Sequence, residues 1–287
     1  MLSDSDYLDE PDIPTLPDWV QALDDSAEKP VTRAGGIGIQ WHVWGEGKPL
    51  YLLHGGHGSW MHWARNIEWL SRNFRVMAAD LPSAGDSETF DTDDLQELAK
   101  LVAAGIDELA GGEPVRGAGF SFGSVIGSLC LKYIETGVDA YALVGSPLLG
   151  GRSGVDGKLR KWRGMPVPEH RVAAHAHNVG LLMLTGAESV TDEATAIQMA
   201  HAEKARPRKR GLFHNLDLLG EIEAWPGQLT VIYGSEDAIA RKHLDERQAN
   251  VERIKPGSEF HVIPDMGHWV QYQAADQVND ILMRRLD

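Results

Sequence analysis

The chain has 287 residues, of which 43% are hydrophobic, and this size and content fit one α/β domain with an insertion or two small domains. Its 42 aspartates and glutamates outnumber its 27 lysines and arginines, and the net charge of -15 disfavours nucleic acid and anionic membrane surfaces as partners. Because the sequence has no apolar run of about 18 residues and no secretory signal pattern at its start, we expect a cytoplasmic protein that does not enter a membrane.

The first predicted region is an acidic arm, residues 1–32, with nine aspartates and glutamates before Lys29. The arm also contains four apolar residues: Leu16, Trp19, Val20 and Leu23. We expect these residues to pack on the rest of the protein. The sequence leaves open whether the arm covers a pocket or binds a partner.

Seven short apolar runs typical of strands follow the arm: residues 37–44, 49–55, 74–80, 115–120, 139–146, 228–234 and 259–264. Helical periodicity extends over three further segments: residues 91–110, 121–137 and 270–286. Short strands that alternate with helices predict the α/β class, with a mostly parallel sheet covered by helices on both faces. We assign this core to residues 33–148 and 219–287.

Residues 149–218 interrupt the alternation. They start with the glycine-rich, basic stretch 150–164 and continue with helical patterns around residues 170–184 and 191–205. A stretch of this length is too long for a structureless loop in a compact domain. We therefore predict a helical cap inserted between strands of the sheet, and we call residues 149–218 the cap segment.

Ser121 lies in the pattern Gly-Phe-Ser-Phe-Gly, which is short enough to occur by chance in unrelated chains. Here it follows a predicted strand and opens a predicted helix, which is the setting of a nucleophile elbow. The flanking glycines permit a sharp turn that leaves the hydroxyl exposed. We predict Ser121 as a nucleophile and the backbone amide of Phe122, at the helix N-terminus, as a donor to an oxyanion.

A second oxyanion donor is expected in the loop of residues 54–58, His-Gly-Gly-His-Gly, which follows another predicted strand. Such a loop exposes backbone N–H groups next to the nucleophile. Gly56 is the first choice for the donor, and His57 is the second. We call residues 54–58 the oxyanion loop.

Asp237 and His268 also follow predicted strands, and the carboxyl ends of parallel strands meet at one edge of a sheet. A carboxylate at this edge can orient a histidine that acts as the general base for a serine. We predict these roles for Asp237 and His268, with Glu236 as the rival carboxylate. The chain order serine, aspartate, histidine agrees with that arrangement.

Five segments resemble, in order, the signatures of the α/β-hydrolase superfamily: HGGHGSW (54–60), DLPSAGDS (80–87), GFSFG (119–123), GSEDA (234–238) and GHW (267–269). Each motif alone is weak, but their order and strand context extend the resemblance over residues 36–287. The resemblance implies an α/β-hydrolase fold with Ser121, Asp237 and His268 as its catalytic triad.

The segment of residues 267–271, GHWVQ, is similar to that of meta-cleavage product hydrolases, which cleave a carbon–carbon bond in vinylogous 1,5-diketones. The resemblance implies that Trp269 lines the pocket and that an arginine of the cap binds the substrate carboxylate. The candidates are Arg206, Arg208 and Arg210. The same basic cluster is also explained as a solvated surface or as a partner of the acidic arm.

Two departures from that family favour an ester or a lactone at least equally. Phe120 precedes the nucleophile where the family usually has asparagine, and Phe122-Gly123-Ser124 replaces its glycine pair. The oxyanion loop is also poorer in glycine and lacks proline. We therefore expect Phe120 to contribute to an apolar substrate pocket.

Other residues of reactive types have structural explanations. His57 and His62 either line the mouth of the site or pack the loop against the sheet. In the cap segment, His175 and His177 have no third ligand at helical spacing, so we expect no metal site.

The single cysteine, Cys130, is expected in the core, without a disulfide partner. Asp80 and Asp86 are expected to fix hydrogen bonds within their loop rather than to act in catalysis.

We predict a cofactor-independent serine hydrolase with a small-molecule carbonyl substrate. The reaction is carbon–carbon bond hydrolysis of a meta-cleavage-type dienoate or, as the alternative, hydrolysis of a carboxylic ester or lactone. Two other classes remain open: a cofactor-free dioxygenase, which would use His268 and Asp237 without the serine, and a ligand-binding receptor. The sequence is compatible with a homo-oligomer.

Overall fold

A computed structural model describes residues 13–33, 36–206 and 216–287. Within these residues, eight strands form one sheet. Their bounds are β1 (Val31–Thr32), β2 (Ile39–Trp44), β3 (Lys48–Leu53), β4 (Phe74–Ala79), β5 (Val115–Phe120), β6 (Val138–Val144), β7 (Gln228–Gly234) and β8 (Glu259–Ile263). Strands β2 to β8 correspond to the seven predicted runs.

The spatial order of the strands is β1-β2-β4-β3-β5-β6-β7-β8. Strands β3 to β8 run parallel to one another, whereas β2 pairs antiparallel with β4 and β1 pairs antiparallel with β2. The predicted mostly parallel sheet is confirmed. Because parallel strands end at the same edge, the segments that follow β3, β5, β7 and β8 converge there.

Helices cover both faces of the sheet. In the described residues they are α1 (Asp18–Asp25), α2 (Ala64–Leu70), α3 (Leu95–Ala110), α4 (Phe122–Cys130), α5 (Pro168–Asn178), α6 (Asp192–Lys204), α7 (Leu218–Ala224), α8 (Leu244–Ile254), α9 (Val270–Gln273) and α10 (Ala275–Leu286). One apolar core lies between the sheet and α3, α4, α7 and α8, and the other lies between the sheet and α2, α9 and α10. None of these helices combines the length and the apolar character needed to cross a membrane.

All three predicted core helices differ in extent from the structure. The helix predicted over residues 91–110 begins at Leu95, where the Asp94 carboxylate accepts from the Gln96 amide and caps the N-terminus. The predicted helix 121–137 ends at Cys130, although Leu131 and Ile134 beyond it are also buried. The apolar pattern therefore continues through turns that periodicity cannot distinguish from helix. The predicted C-terminal helix is divided at Ala274, whose φ of -121° and ψ of 48° separate α9 from α10.

The described part of the arm contains α1, which contacts both the sheet and the cap segment. Val20 is buried, and the Trp44 indole of β2 donates a hydrogen bond to the Leu23 carbonyl (2.9 Å). The Trp19 indole donates to Glu193 of α6 (3.0 Å). The arm therefore joins two regions that are distant in sequence.

The cap segment contains α5, a π-helical turn (Val179–Met183) and α6, and its described residues form no strand. The division of the chain into residues 1–32, a core of 33–148 and 219–287, and the cap segment stays a prediction.

A buried arginine of α8 forms hydrogen bonds with the backbone at the start of the cap segment. The Arg247 guanidinium donates to the backbone carbonyls of Ser146 and Gly151, the latter at 2.6 Å, and to the Tyr233 hydroxyl at 2.9 Å. Nearby, the Asn250 amide donates to the Leu149 carbonyl (2.9 Å). The chain leaving β6 is thus held against α8 as far as Gly151.

Candidate active site

Ser121 lies in the sharp turn between β5 and α4. Its φ of 49° and ψ of -114° are unusual for a residue with a side chain. The turn is held by the Ser121 amide, which donates to the Val144 carbonyl (2.9 Å), and by the Ser121 carbonyl, which accepts from the Ser124 hydroxyl (2.6 Å). The surrounding structure stabilises this strained backbone, as is common at functional sites.

The two glycines around Ser121 are required by close packing. A Cβ atom on Gly119 would lie 2.3 Å from the Tyr141 hydroxyl oxygen, and one on Gly123 would lie 2.4 Å from the Leu53 carbonyl oxygen. Larger residues would force β5 and α4 away from their neighbours. The Gly-x-Ser-x-Gly pattern is therefore a geometric requirement of the turn.

Ser121, His268 and Asp237 form a chain of hydrogen bonds. His268 Nε2 lies 3.0 Å from Ser121 Oγ, and His268 Nδ1 lies 2.8 Å from Asp237 Oδ2. The other oxygen of Asp237 accepts backbone hydrogen bonds from Ile239 (2.8 Å) and Ala240 (3.1 Å). Since the fully buried carboxylate has all these donors, it can hold the imidazole with Nε2 available to the serine.

The rival carboxylate points elsewhere. Glu236 is exposed, and its carboxylate lies 3.7 Å from the Arg241 guanidinium. Of the two neighbouring acidic residues, Asp237 is therefore the one that contacts His268.

The oxyanion loop follows β3 and lies beside the start of α4. A Cβ atom on Gly56 would be 3.9 Å from the Phe122 Cβ, so the two predicted amide donors belong to adjacent backbone segments. Gly56 and His57 are exposed, and His57 has a positive φ of 54°. The role of these amides stays a prediction.

His54 and Asp80 anchor the loops around the site. The Leu81 amide donates to His54 Nε2 (2.9 Å), and His54 Nδ1 lies 2.7 Å from the Gly55 carbonyl, which fixes a neutral ring with the proton on Nδ1. Asp80 accepts from the amides of Trp60 (3.0 Å) and Asp86 (2.9 Å).

The pKa of the Asp80 carboxyl is lowered. Burial opposes its ionisation, but the neighbouring His42 ring, whose Nε2 lies 3.6 Å from Asp80 Oδ2, and the hydrogen bond from the Asp86 amide outweigh that cost. Asp80 therefore acts as a charged anchor for its loop.

A cavity of about 570 Å³ lies between the oxyanion loop and the cap segment. It is lined by Gly56, His57, Leu159, Arg160, Lys161, Trp162, Arg163, His175, Asn178, Val179, Leu182, Met183, Gln198 and Ala202. Three of these described lining residues are cations, and none is an aspartate or a glutamate. The wall of the cavity is therefore locally basic, although the whole chain has a net charge of -15.

The predicted cap arginines do not account for this basic wall. Arg206 is exposed, its amide donates to the Ser83 carbonyl (2.9 Å), and it is not among the lining residues. Arg208 and Arg210 lie outside the described residues. The lining cations come instead from the basic stretch 150–164, whose composition was the available sequence signal.

Two other predicted substrate contacts are fully buried. Phe120 packs beside His268, with ring centroids 5.0 Å apart, and Trp269 stacks on Tyr272 at 4.1 Å. Neither is among the cavity-lining residues, whereas His57 is. A substrate-binding role for Phe120 and Trp269 stays a prediction.

His175 and Gln198 are polar lining residues that sequence reasoning did not assign to the site. His175 Nε2 and Gln198 Oε1 are both buried without a hydrogen-bond partner. Burial, followed by the charges of Arg163 and Arg171, lowers the pKa of His175 to about 4, so its ring is neutral near pH 7. The described residues contain no cluster of three side chains suited to a metal ion.

The family model described as "Alpha/beta hydrolase family" matches residues 50–281. A curated relative, the dihydrolipoyllysine-residue acetyltransferase component of an acetoin cleaving system from Pseudomonas putida, is 28% identical over 281 residues, covering 90% of this chain and 70% of that protein. The 2-hydroxy-6-oxononadienedioate/2-hydroxy-6-oxononatrienedioate hydrolase of Comamonas testosteroni is 25% identical over 266 residues, covering 83% and 87%. In a solved structure, the fold of an esterase from Rhodococcus sp. ECU1013 matches with a TM-score of 0.74 at 20% identity, covering 90% of this chain and 98% of that one.

Proposed function

The chain belongs to the alpha/beta hydrolase family, and from that premise we propose that it is a serine hydrolase with Ser121, His268 and Asp237 as its catalytic triad. The observation that carries the proposal is the hydrogen-bonded chain from Asp237 through His268 to Ser121, with distances of 2.8 and 3.0 Å. The strained backbone of Ser121 adds support, since such strain is common where a nucleophile must be exposed.

In the proposed reaction, His268 Nε2 takes the hydroxyl proton as Ser121 Oγ attacks a substrate carbonyl. The amides of Gly56 and Phe122 donate to the oxygen on which negative charge develops. The bond to the leaving group then breaks, the leaving group takes the electron pair, and His268 returns the proton to it. Water, deprotonated by His268, then attacks the acyl carbonyl. The bond to Ser121 Oγ breaks, and His268 returns the proton to Oγ as the acid is released. No step requires a cofactor.

We propose a substrate with a negatively charged group. Arg160, Lys161 and Arg163 line the cavity next to the oxyanion loop, and no acidic residue accompanies them among the described lining residues. Cations in a cavity wall stabilise carboxylate or phosphate groups. The substrate named for the Comamonas testosteroni relative is a dicarboxylate, which agrees with this chemistry. We therefore favour carbon–carbon bond hydrolysis of a dienoate.

Hydrolysis of an ester or lactone is the second candidate, and Phe120 favours it. The Phe120 ring is fully buried against His62 and His268 and offers no hydrogen bond beside the nucleophile. A simple ester needs fewer polar contacts near the elbow than a dienoate does.

The test compares Ser121→Ala with Ser128→Ala, a matched change at a buried serine of α4, the helix that follows Ser121. The Ser128 hydroxyl donates to the Ser124 carbonyl. A short-chain p-nitrophenyl ester and a yellow meta-cleavage dienoate are followed by absorbance. We expect Ser121→Ala to lower kcat by about 10⁴-fold or more and Ser128→Ala to change it little.

The outcomes separate the candidate functions. Rapid ester turnover with an untouched dienoate rejects carbon–carbon hydrolysis. Activity that survives Ser121→Ala and requires O2 supports a cofactor-free dioxygenase. Tight ligand binding without turnover supports a receptor.

A further inference from the structure

His62 lies directly behind the oxyanion loop, in the 3-10 turn Trp60–Trp63, and its side chain is buried. The Gly55 amide donates a hydrogen bond to His62 Nδ1 at 3.1 Å. Gly55 immediately precedes Gly56, whose amide is the proposed oxyanion donor. The imidazole therefore holds the peptide next to that donor.

The oxyanion loop fits closely around the His62 ring. A Cβ atom on Gly58 would lie 2.3 Å from both Cε1 and Nδ1 of His62. On the other side of the loop, a Cβ atom on Gly55 would lie 2.9 Å from the Phe120 ring. With both rings this close, the loop has little freedom to move independently of His62.

His62 also contacts the other parts of the site. Its ring lies 5.1 Å from Phe120 and 5.2 Å from Trp269, each in an edge-to-face arrangement, and its carbonyl accepts from the Trp269 indole at 2.9 Å. Trp269 follows His268 directly. From the cap segment, the His201 ring of α6 lies 4.4 Å from that of His62.

The hydrogen bond from Gly55 defines the protonation state of His62. Because Nδ1 accepts, it carries no proton, and the neutral ring has its proton on Nε2. Burial lowers the pKa of His62 well below its usual value, and His201, His54 and His268 lower it further, whereas Gln198 acts in the opposite direction. A proton on Nδ1 would set two N–H groups against each other.

We infer that His62 is a positioning residue for the oxyanion loop, which acts by accepting the Gly55 amide at Nδ1 and so orients the Gly56 amide toward the substrate oxygen. The inference rests on the proposed serine hydrolase function. It assigns to His62 a role in the chemical step rather than in substrate binding.

The test uses His62→Leu and His62→Asn, two side chains of nearly the same shape, of which only asparagine can accept the Gly55 hydrogen bond. We expect His62→Leu to lower kcat by about tenfold to hundredfold, with KM within about threefold, because a displaced oxyanion donor weakens transition-state stabilisation. His62→Asn is expected to retain kcat within about threefold of the wild type. A purely packing role would make the two variants equally active or equally impaired, and either result overturns the inference.

If the variants do not fold, the inference is tested on the wild-type protein, by measuring the protonation state of His62 Nδ1. Long-range ¹H–¹⁵N spectra distinguish a protonated from an unprotonated histidine Nδ1. An unprotonated Nδ1 on His62 supports the inference, and a protonated one overturns it. Failure of the proposed function is recognised separately, because Ser121→Ala would then leave the turnover of the wild type unchanged.

Discussion

Asp237 uses both of its carboxylate oxygens, one for His268 and one for two backbone amides. The amides fix the orientation of the carboxylate, so Oδ2 faces His268 Nδ1. A carboxylate at this position selects the histidine tautomer whose Nε2 can accept a proton from Ser121. The geometry of a single side chain thereby determines whether the hydroxyl next to it can be activated.

Asp237→Asn is expected to lower kcat by about 10³- to 10⁴-fold, because an amide nitrogen facing Nδ1 would stabilise the wrong tautomer of His268. Glu236→Gln is the control, since this exposed neighbour pairs with Arg241 and not with His268. Steady-state kinetics with the ester and the dienoate measure both. Comparable losses in the two variants, or full activity of Asp237→Asn, would contradict the proposed role of Asp237.

The proximity of Ser121, Asp237 and His268 could be predicted from the sequence because each residue follows a strand of a parallel sheet. The topology then brings the strand ends together without knowledge of side-chain contacts. The contribution of His62 could not be predicted in the same way. It depends on a hydrogen bond to Gly55 within a turn whose backbone path has no periodic signature.

At the scale of elements, the strands were more predictable than the cap segment. Buried strands such as β5 and β7 are short apolar runs with clear turn residues at both ends, so their bounds follow from composition. In the cap segment, the basic stretch 150–164 has no regular period. Its residues reach the cavity through an irregular path, and for this reason the sequence interpretation assigned the substrate cation to Arg206 and its neighbours instead.

Arg160→Ala and Lys161→Ala are expected to raise KM for an anionic substrate by about tenfold each while leaving KM for a neutral ester nearly unchanged, since each removes a charge from the cavity wall. Lys158→Ala is the matched control, because this exposed lysine of the same stretch is not among the lining residues. The measurement is KM for the anionic substrate and for the neutral ester, each determined by steady-state kinetics at two salt concentrations. An equal rise in KM for both substrates would argue against charge recognition.

At the scale of the whole molecule, buried neutral histidines link stability to pH. Burial lowers the pKa of His201 to about 3, and burial with nearby arginines lowers that of His175 to about 4. His62 is shifted in the same direction. In the unfolded chain these histidines bind protons below about pH 6.5, whereas in the folded protein they do not.

Stability is therefore expected to fall as the pH decreases from about 6.5 toward the folded pKa values, with each histidine contributing up to about 1.4 kcal/mol per pH unit. Urea unfolding between pH 7.5 and 5 measures this slope above the range in which the carboxylates titrate. His201→Phe is expected to reduce the slope, because it removes one of the groups that bind a proton only on unfolding. A free energy of unfolding that is constant over this range would contradict the prediction.

The contacts of Arg247 have a mechanical consequence. Because its guanidinium holds the carbonyls of Ser146 and Gly151, the first residues beyond β6 behave as an extension of the rigid sheet. The chain is held again at Ser153, whose amide donates to the Ile239 carbonyl (2.7 Å) and whose hydroxyl accepts from the Lys242 amide (3.0 Å). Glycines with greater torsional freedom, Gly154 and Gly157, follow within four residues of Ser153. If the cap segment swings outward to admit a ligand, its pivot lies in this glycine-containing stretch, immediately before the basic residues that line the cavity. The same displacement that opens the cavity would then carry its positive charges toward the incoming ligand.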